Sequence, residues 1–358
     1  MTSQAITALA DMLSPHVPLG KTRLETLCLL IIGVISARTV NLSHVACERS
    51  GEVLIASTYR RLQRFFQHVA LGEDWSAGLV IRLLGLSGPW NLCLDRTNWK
   101  IGGRDVNILM LAVATRRFRV PLMWTVLDKA GNSNTQERVA LMQRYLALFG
   151  AESVRLLLAD REFIGLKWLN FLNGKNIPFA IRVKARLRVE TEDGRRLNLS
   201  SLLRKYRGAR KFYATFPGQG DVAALTLTFA ARRIRGGELL IVASNVADRN
   251  TLNAYRRRWA IECLFGDTKT RGLNLEDTRL QIASKLSLLL AIVSLAVVWA
   301  NRTASTLIGR GTLKRKTHGY YAKSWFRTGF DEIRRLLRSD PCAAVQPWSR
   351  ISIQRGVV

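Results

Sequence analysis

The sequence predicts an α/β protein: a mixed sheet flanked by helices, with a helical N-terminal region and a β-rich insertion. Three observations carry that expectation. Residues 1–75 show helical patterning throughout, without period-two alternation. From Trp90 to Val183, apolar runs of strand length alternate with stretches of helical periodicity. With 48% hydrophobic residues in 358, the chain has enough apolar surface to bury a large core.

Taken in order, an apolar helix over Leu24–Ser36 is followed by an Asn-Leu-Ser opening and a helix to about Glu48. After Ser50-Gly51 a third helix runs through Gln67. Ser57, Thr58, Arg60, Arg61 and Arg64 dominate its polar side, while Leu54, Leu62, Phe65 and Phe66 are placed to pack inward. Hydroxyls and arginines on one face of a third helix suit a helix-turn-helix reader of the major groove, so Arg60, Arg61 and Arg64 are candidate DNA contacts. An ordinary three-helix bundle with a solvated face fits the same pattern.

Asn91–Asp95, Val106–Ala114 and Val120–Leu127 read as strands. Asn134–Phe149 is helical, with Val139, Met142, Leu146 and Phe149 on one side. Val154–Ala159 is a buried strand ending at Asp160, Gly165–Asn173 a short helix, and Phe179–Val183 a further strand. Three hairpin-like strands followed by helix, strand, helix, strand is the order of a ribonuclease-H-like core. Residues 184–250 break the alternation with basic, strand-like segments (Leu187–Glu190, Lys211–Phe216, Ala224–Ala230, Leu239–Ser244). Helical periodicity returns over Asn250–Lys269 and in an apolar helix over 282–301, and a last helix is expected near Asp331–Arg338. The organisation predicted is a helical region over 1–80, a ribonuclease-H-like core over 90–300 with the insertion at 184–250, and a basic segment over 301–358.

Charge points to the partner. Lys and Arg number 55 against 26 Asp and Glu, a formal net charge of +29. Such an excess suits a polyanion, most often nucleic acid. It is uneven: residues 1–90 hold 8 basic and 6 acidic side chains, residues 181–250 hold 15 and 6, and residues 302–358 hold 12 and 3. The five cysteines and four histidines are scattered, which argues against zinc and for a reducing, cytoplasmic setting. No secretory signal is evident at the N-terminus. The longer of two apolar stretches, Leu286–Ala300, covers roughly 22 Å as a helix against a hydrocarbon core of ~30 Å, so both stretches read as buried helices rather than membrane spans.

Cutting and joining phosphodiesters requires an activated nucleophile and neutralised oxygens at one phosphorus. Two Mg2+ (or Mn2+) ions roughly 3.5–4 Å apart do both when hard oxygen ligands hold them. Asp95 and Asp160 each follow an apolar run, where a sheet edge can open into a site, although Asp also ends strands simply as a turn former. Over Tyr255–Lys269, a helix turning about 100° per residue places Tyr255, Arg258, Glu262 and Lys269 in a sector about 60° wide. A carboxylate striped with two cations and a phenol suits metal at Glu262 and DNA phosphate at Tyr255, Arg258 and Lys269. A solvated face with an Arg258–Glu262 pair gives the same spacing. Glu162 and Asp267 read as salt-bridging neighbours.

Tyr-x2-Arg-x3-Glu-x6-Lys, met by Tyr255, Arg258, Glu262 and Lys269, resembles the signature of bacterial DDE transposases of the insertion-sequence-four family. Ala159-Asp160-Arg161-Glu162-Phe163 and Asp95-Arg96-Thr97 resemble that family's surroundings of its second and first Asp. The resemblance covers about residues 90–300. It implies that Asp95, Asp160 and Glu262 form the metal-binding catalytic triad, and that Tyr255, Arg258 and Lys269 grip the transposon end. It further implies a homodimer on DNA acting on terminal inverted repeats and target DNA by cut-and-paste. Relatives that form a hairpin intermediate stack a flipped base on a Trp of the insertion. Here no Trp lies between Trp168 and Trp259, leaving Phe212, Tyr213, Phe216 and Phe229 as the aromatic candidates. A nuclease of the same core without transposition, or an inactive DNA-binding regulator, are the alternative functions.

Overall fold

A computed structural model describes residues 2–349 apart from Arg116, Arg235, Asp248, Arg249 and His318. The chain opens with α1 (Thr2–Leu13), α2 (Lys21–Ala37), α3 (Leu42–Cys47), α4 (Ile55–His68) and α5 (Trp75–Leu84). Leu27–Ile35 of α2 is apolar on every side, and every residue of that stretch is buried. Asn41 caps α3 by accepting a hydrogen bond from the Ser43 amide at 3.1 Å. On α4, Leu62, Phe65 and Phe66 face inward as expected, but Leu54, just ahead of the helix, is 72% exposed and Thr58 is buried. Arg61 also turns inward. Its guanidinium donates to the Thr26 hydroxyl at 2.7 Å and the Thr22 carbonyl at 2.9 Å, and pairs with Glu25, tying α4 to α2.

The sheet follows: β1 (Trp90–Ile101), β2 (Arg104–Ala114), β3 (Arg119–Leu127), α6 (Thr135–Phe149), β4 (Val154–Ala159), α7 (Leu166–Gly174) and β5 (Phe179–Arg182). The order of these elements matches the sequence reading. Asn134 and Glu137 form a reciprocal cap on α6, with bonds of 2.9 and 2.7 Å. β1 and β2 pair antiparallel from Asn91↔Ala114 to Ile101↔Arg104, whereas β1, β4 and β5 are parallel. Asp95 therefore does not end its strand. It is the first β1 residue beyond the parallel pairing with β4, which stops at Leu94↔Ala159.

The basic stretch extends this same sheet. β6 (Arg188–Glu190), β7 (Arg196–Asn198), α8 (Leu199–Leu202), β8 (Arg210–Phe216), β9 (Leu225–Arg233) and β10 (Leu239–Ser244) complete a ten-stranded sheet among the described residues, in the order β3-β2-β1-β4-β5-β10-β9-β8-β6-β7. β10 pairs antiparallel with β5 and covers the edge that the parallel core would otherwise leave open.

The expected helix over Asn250–Lys269 is broken. It consists of α9 (Thr251–Tyr255), a 3-10 turn at Arg256–Arg258 and α10 (Trp259–Thr268), so Lys269 lies just past the helix end. α11 (Ala283–Ile308) is long and apolar enough to cross a membrane by length and composition, yet most of it is buried inside the fold. Polar groups anchor it to β3: Ser294 donates to the Pro121 carbonyl at 2.6 Å, and the Trp124 indole donates to Ser287 at 2.8 Å. α12 (Trp325–Ser339) and α13 (Pro341–Ser349) return onto α11, α1 and α2, burying Phe330 and Trp348. Gly329 permits this crossing, because a Cβ there would lie 1.8 Å from the Ala300 carbonyl oxygen. Helices from both termini thus share one continuous core with the sheet. Residues 350–358 of the basic segment lie outside the described residues.

Candidate active site

Asp95 projects from β1 on the face that carries Cys93, whose thiol lies 3.8 Å from the Arg257 carbonyl in the turn between α9 and α10. Asp160 follows the last residue of β4, and Glu262 sits in the first turn of α10. Two side chains from the α9–α10 segment gather these three acids. The Tyr255 hydroxyl donates to Asp160 at 3.4 Å. The Arg258 guanidinium reaches Asp95 at 3.6 Å and also donates to Glu262, with only 12% of its side chain exposed.

The site is electrostatically tense. Burial pushes the Asp95 carboxyl up to about 6; a hydrogen bond donated by the Arg96 backbone N–H and the charge of Arg258 pull it down, while Glu162 and Asp160 repel it. Burial also raises the Tyr255 hydroxyl well above its ordinary value, keeping it a hydrogen-bond donor. For Arg258, burial opposes the charge, but Tyr255, Glu262 and Asp160 hold its pKa above that of an ordinary arginine. Burial drives the neighbouring Cys93 thiol up to about 12, which leaves it inert as a nucleophile.

These donors suit a hard divalent cation in kind. Asp95 is a half-buried carboxylate whose positive neighbours do not offset the cost of its burial, and a dication would supply the missing charge. Among the described residues no group of three or more Asp, Glu, His or Cys side chains is already spaced to hold a metal ion. Asp95 and Glu262 converge on Arg258, and Asp160 on Tyr255, rather than on one another. Holding metal would require the guanidinium to give up Asp95 and Glu262.

Residues 87–299, more than half of the chain, match the family model described as Transposase DDE domain. The chain belongs to the DDE transposase family. A comparison with curated proteins gives no match. The matched span of the transposase begins just before β1 and ends within α11, so it contains all three acids together with Tyr255, Arg258 and Lys269.

Not every candidate comes to the centre. Lys269 donates at 3.1 Å to the carbonyl of Asn98, three residues further along β1 than Asp95, pairs with Glu276 at 2.7 Å and lies over the Trp99 ring. Arg60 and Arg64 are exposed on α4, apart from the inward Arg61. Of the aromatic candidates in the insertion, Phe229 is buried and stacked on Phe212, Phe216 is half-buried, and Tyr213 is 47% exposed. Two residues near the site escaped the sequence reading. Trp259, 62% exposed, opens α10 beside Arg258 and three residues before Glu262, one helical turn away. Arg182 ends β5, acts on the Tyr255 hydroxyl through its charge, and pairs with Glu238. The run Arg256-Arg257-Arg258-Trp259 was the available signal for Trp259, a large aromatic ring set beside three cations and three residues before Glu262.

Proposed function

We propose that this DDE transposase is a cut-and-paste enzyme of the insertion-sequence-four type. It cleaves DNA at terminal inverted repeats and joins the freed ends to target DNA, working in the cytoplasm as a homodimer on DNA. In this reading Asp95, Asp160 and Glu262 hold two Mg2+ or Mn2+ ions. When bound, such ions activate the attacking hydroxyl and neutralise the leaving oxygen.

The chain's own residues do the rest. Tyr255 and Arg258 occupy the carboxylates until a DNA phosphate arrives, which competes for the guanidinium as a bidentate acceptor. Arg258 then grips the phosphate beside the scissile bond, and Asp95 and Glu262 are released to act as ligands. Trp259, exposed at the same helix end, offers a ring face to a nucleobase of that strand. Lys269 and the exposed Arg60 and Arg64 contact DNA phosphates further from the cut. One observation carries the reading: acids from β1, β4 and α10, far apart in sequence, meet Tyr255 and Arg258 of a single helical segment.

The test uses purified protein, two labelled inverted-repeat duplexes and Mg2+. Paired cleavage and strand transfer are expected from the native protein. Glu262→Gln should abolish both while retaining end binding; loss of binding in a folded Glu262→Gln protein would refute the assigned role. Nicking by the native protein without transfer would identify a nuclease instead.

A further inference from the structure

We infer that Arg96 and Glu162 form a clamp that sets the separation of Asp95 and Asp160, which makes both of them positioning residues. The inference rests on the metal-site reading above. Backbone pairing between β1 and β4 ends at Leu94↔Ala159, one residue before each acid. Beyond that point the two strands are tied by side chains.

Arg96 leaves β1 on the face opposite Asp95. Its Nε and Nη2 donate to the two carboxylate oxygens of Glu162, at 2.8 and 3.1 Å. Glu162 stands two residues past Asp160 in the 3-10 turn Arg161–Phe163. Both of its oxygens are thus engaged by one guanidinium, so it serves the turn rather than a metal. Arg96 is itself fixed, donating to Asn107 and Asn132 at 2.9 Å each. Asn107 in turn holds the Lys129 and Gly131 carbonyls at 2.9 and 2.8 Å. From α6, the buried Arg138 donates to the Glu162 carbonyl at 3.1 Å and lies over the Phe163 ring. The turn behind Asp160 is therefore held by β1, β2 and α6 at once. This supporting shell orients a metal ligand without touching the metal, a role whose loss typically costs 10–100-fold in metal affinity.

The experiment measures Mn2+ binding to the full chain by the loss of the free-ion paramagnetic resonance signal, alongside end-DNA binding and thermal unfolding. Glu162→Gln and Arg96→Gln are both expected to weaken Mn2+ binding by about 10–100-fold with end-DNA affinity preserved. If Glu162 were instead a ligand, Arg96→Gln would free it and tighten Mn2+ binding, and that result overturns the clamp. Native Mn2+ affinity in either variant overturns it as well. Should both variants fail to fold, Asn132→Ala, at an exposed position that removes one acceptor from Arg96, must weaken Mn2+ binding severalfold, and unchanged affinity there refutes the inference. A native protein that binds no Mn2+ removes the metal-site reading itself, a failure distinct from the others.

Discussion

Replacing Asp95 by asparagine should make the protein more stable at neutral pH while abolishing its chemistry. Burial raises the Asp95 carboxyl from 3.8 to about 6. Between those values the folded protein holds a proton that the unfolded chain releases, so stability falls as pH rises through the window. The penalty is complete above about pH 6 and absent below about pH 4. A rise of this size corresponds to about 3 kcal/mol. Asparagine resembles the protonated acid in shape, and its side-chain oxygen can still accept the 2.8 Å bond from the Arg96 amide. Arg258 retains Glu262 as a partner. The expected gain is about 1–3 kcal/mol at pH 8, shrinking to nothing near pH 4. Urea unfolding of both proteins at the two pH values measures it. The comparison cancels Asp267, whose carboxyl burial also raises to about 6. A variant no more stable than the native protein at pH 8, or a gain independent of pH, would show that Asp95 carries no such strain.

Further outcomes follow from the same geometry. Arg258→Ala removes the cation between Asp95 and Glu262; it should cost about 3–5 kcal/mol without metal, and added Mg2+ should restore more stability to it than to the native protein in thermal unfolding. Equal or smaller Mg2+ stabilisation would show that the guanidinium does not compete with metal. Trp259→Ala should weaken binding to end DNA containing an unpaired base by about 1–3 kcal/mol, with little effect on fully paired duplex; fluorescence anisotropy distinguishes the two. Residues 310–323 carry five Lys or Arg and no acid, and expose Tyr321 with Arg315 over its ring. Lys314→Gln, Arg315→Gln and Lys316→Gln together should reduce the slope of log affinity against log salt by about two to three, and an unchanged slope means that this loop does not meet DNA. Point substitution suits that measurement better than truncation, because α12 and α13 beyond it bury Phe330 and Trp348 in the common core.

How much of this was legible in the sequence depended on whether local pattern or tertiary contact decides each feature. The apolar runs of β2, β3, β4 and β5 are buried on both faces, so composition alone located them to within a few residues. β1 was cut short because Asp95-Arg96-Thr97-Asn98 reads as polar, whereas pairing with β2 carries the strand on to Ile101. Arg61 was placed with Arg60 and Arg64 because a helical wheel cannot show that Glu25 and Thr26 wait on α2. The stripe from Tyr255 to Lys269 assumed one continuous helix. The 3-10 turn at Arg256–Arg258 changes the phase, and the chain then folds back so tightly that a Cβ on Gly272 would lie 2.0 Å from the Asp267 carbonyl oxygen. Arg271-Gly272-Leu273-Asn274 was the readable sign that the helix stops by Lys269. α13 was hidden by Pro341 and Pro347, although proline at a first helical turn is well tolerated.

The same tension explains why Arg258 stands where it does. Three acids converging in a partly dry site would repel one another and invite an irregular local structure. A lysine would neutralise one of them as a point charge. The arginine fork spans two, Asp95 through one Nη and Glu262 through the other, while Tyr255 attends to the third. The fork is also the shape that a phosphate diester accepts, so on the proposed function one group would serve the carboxylates and a bound DNA strand in turn. Its Nε remains buried without a hydrogen-bond partner, an unmet donor that favours exchanging the present arrangement for one with more acceptors. Exchange of partners at Arg258 would thereby couple the arrival of DNA to the exposure of Asp95 and Glu262, and would keep the carboxylates from acting on solvent before a strand end is in place.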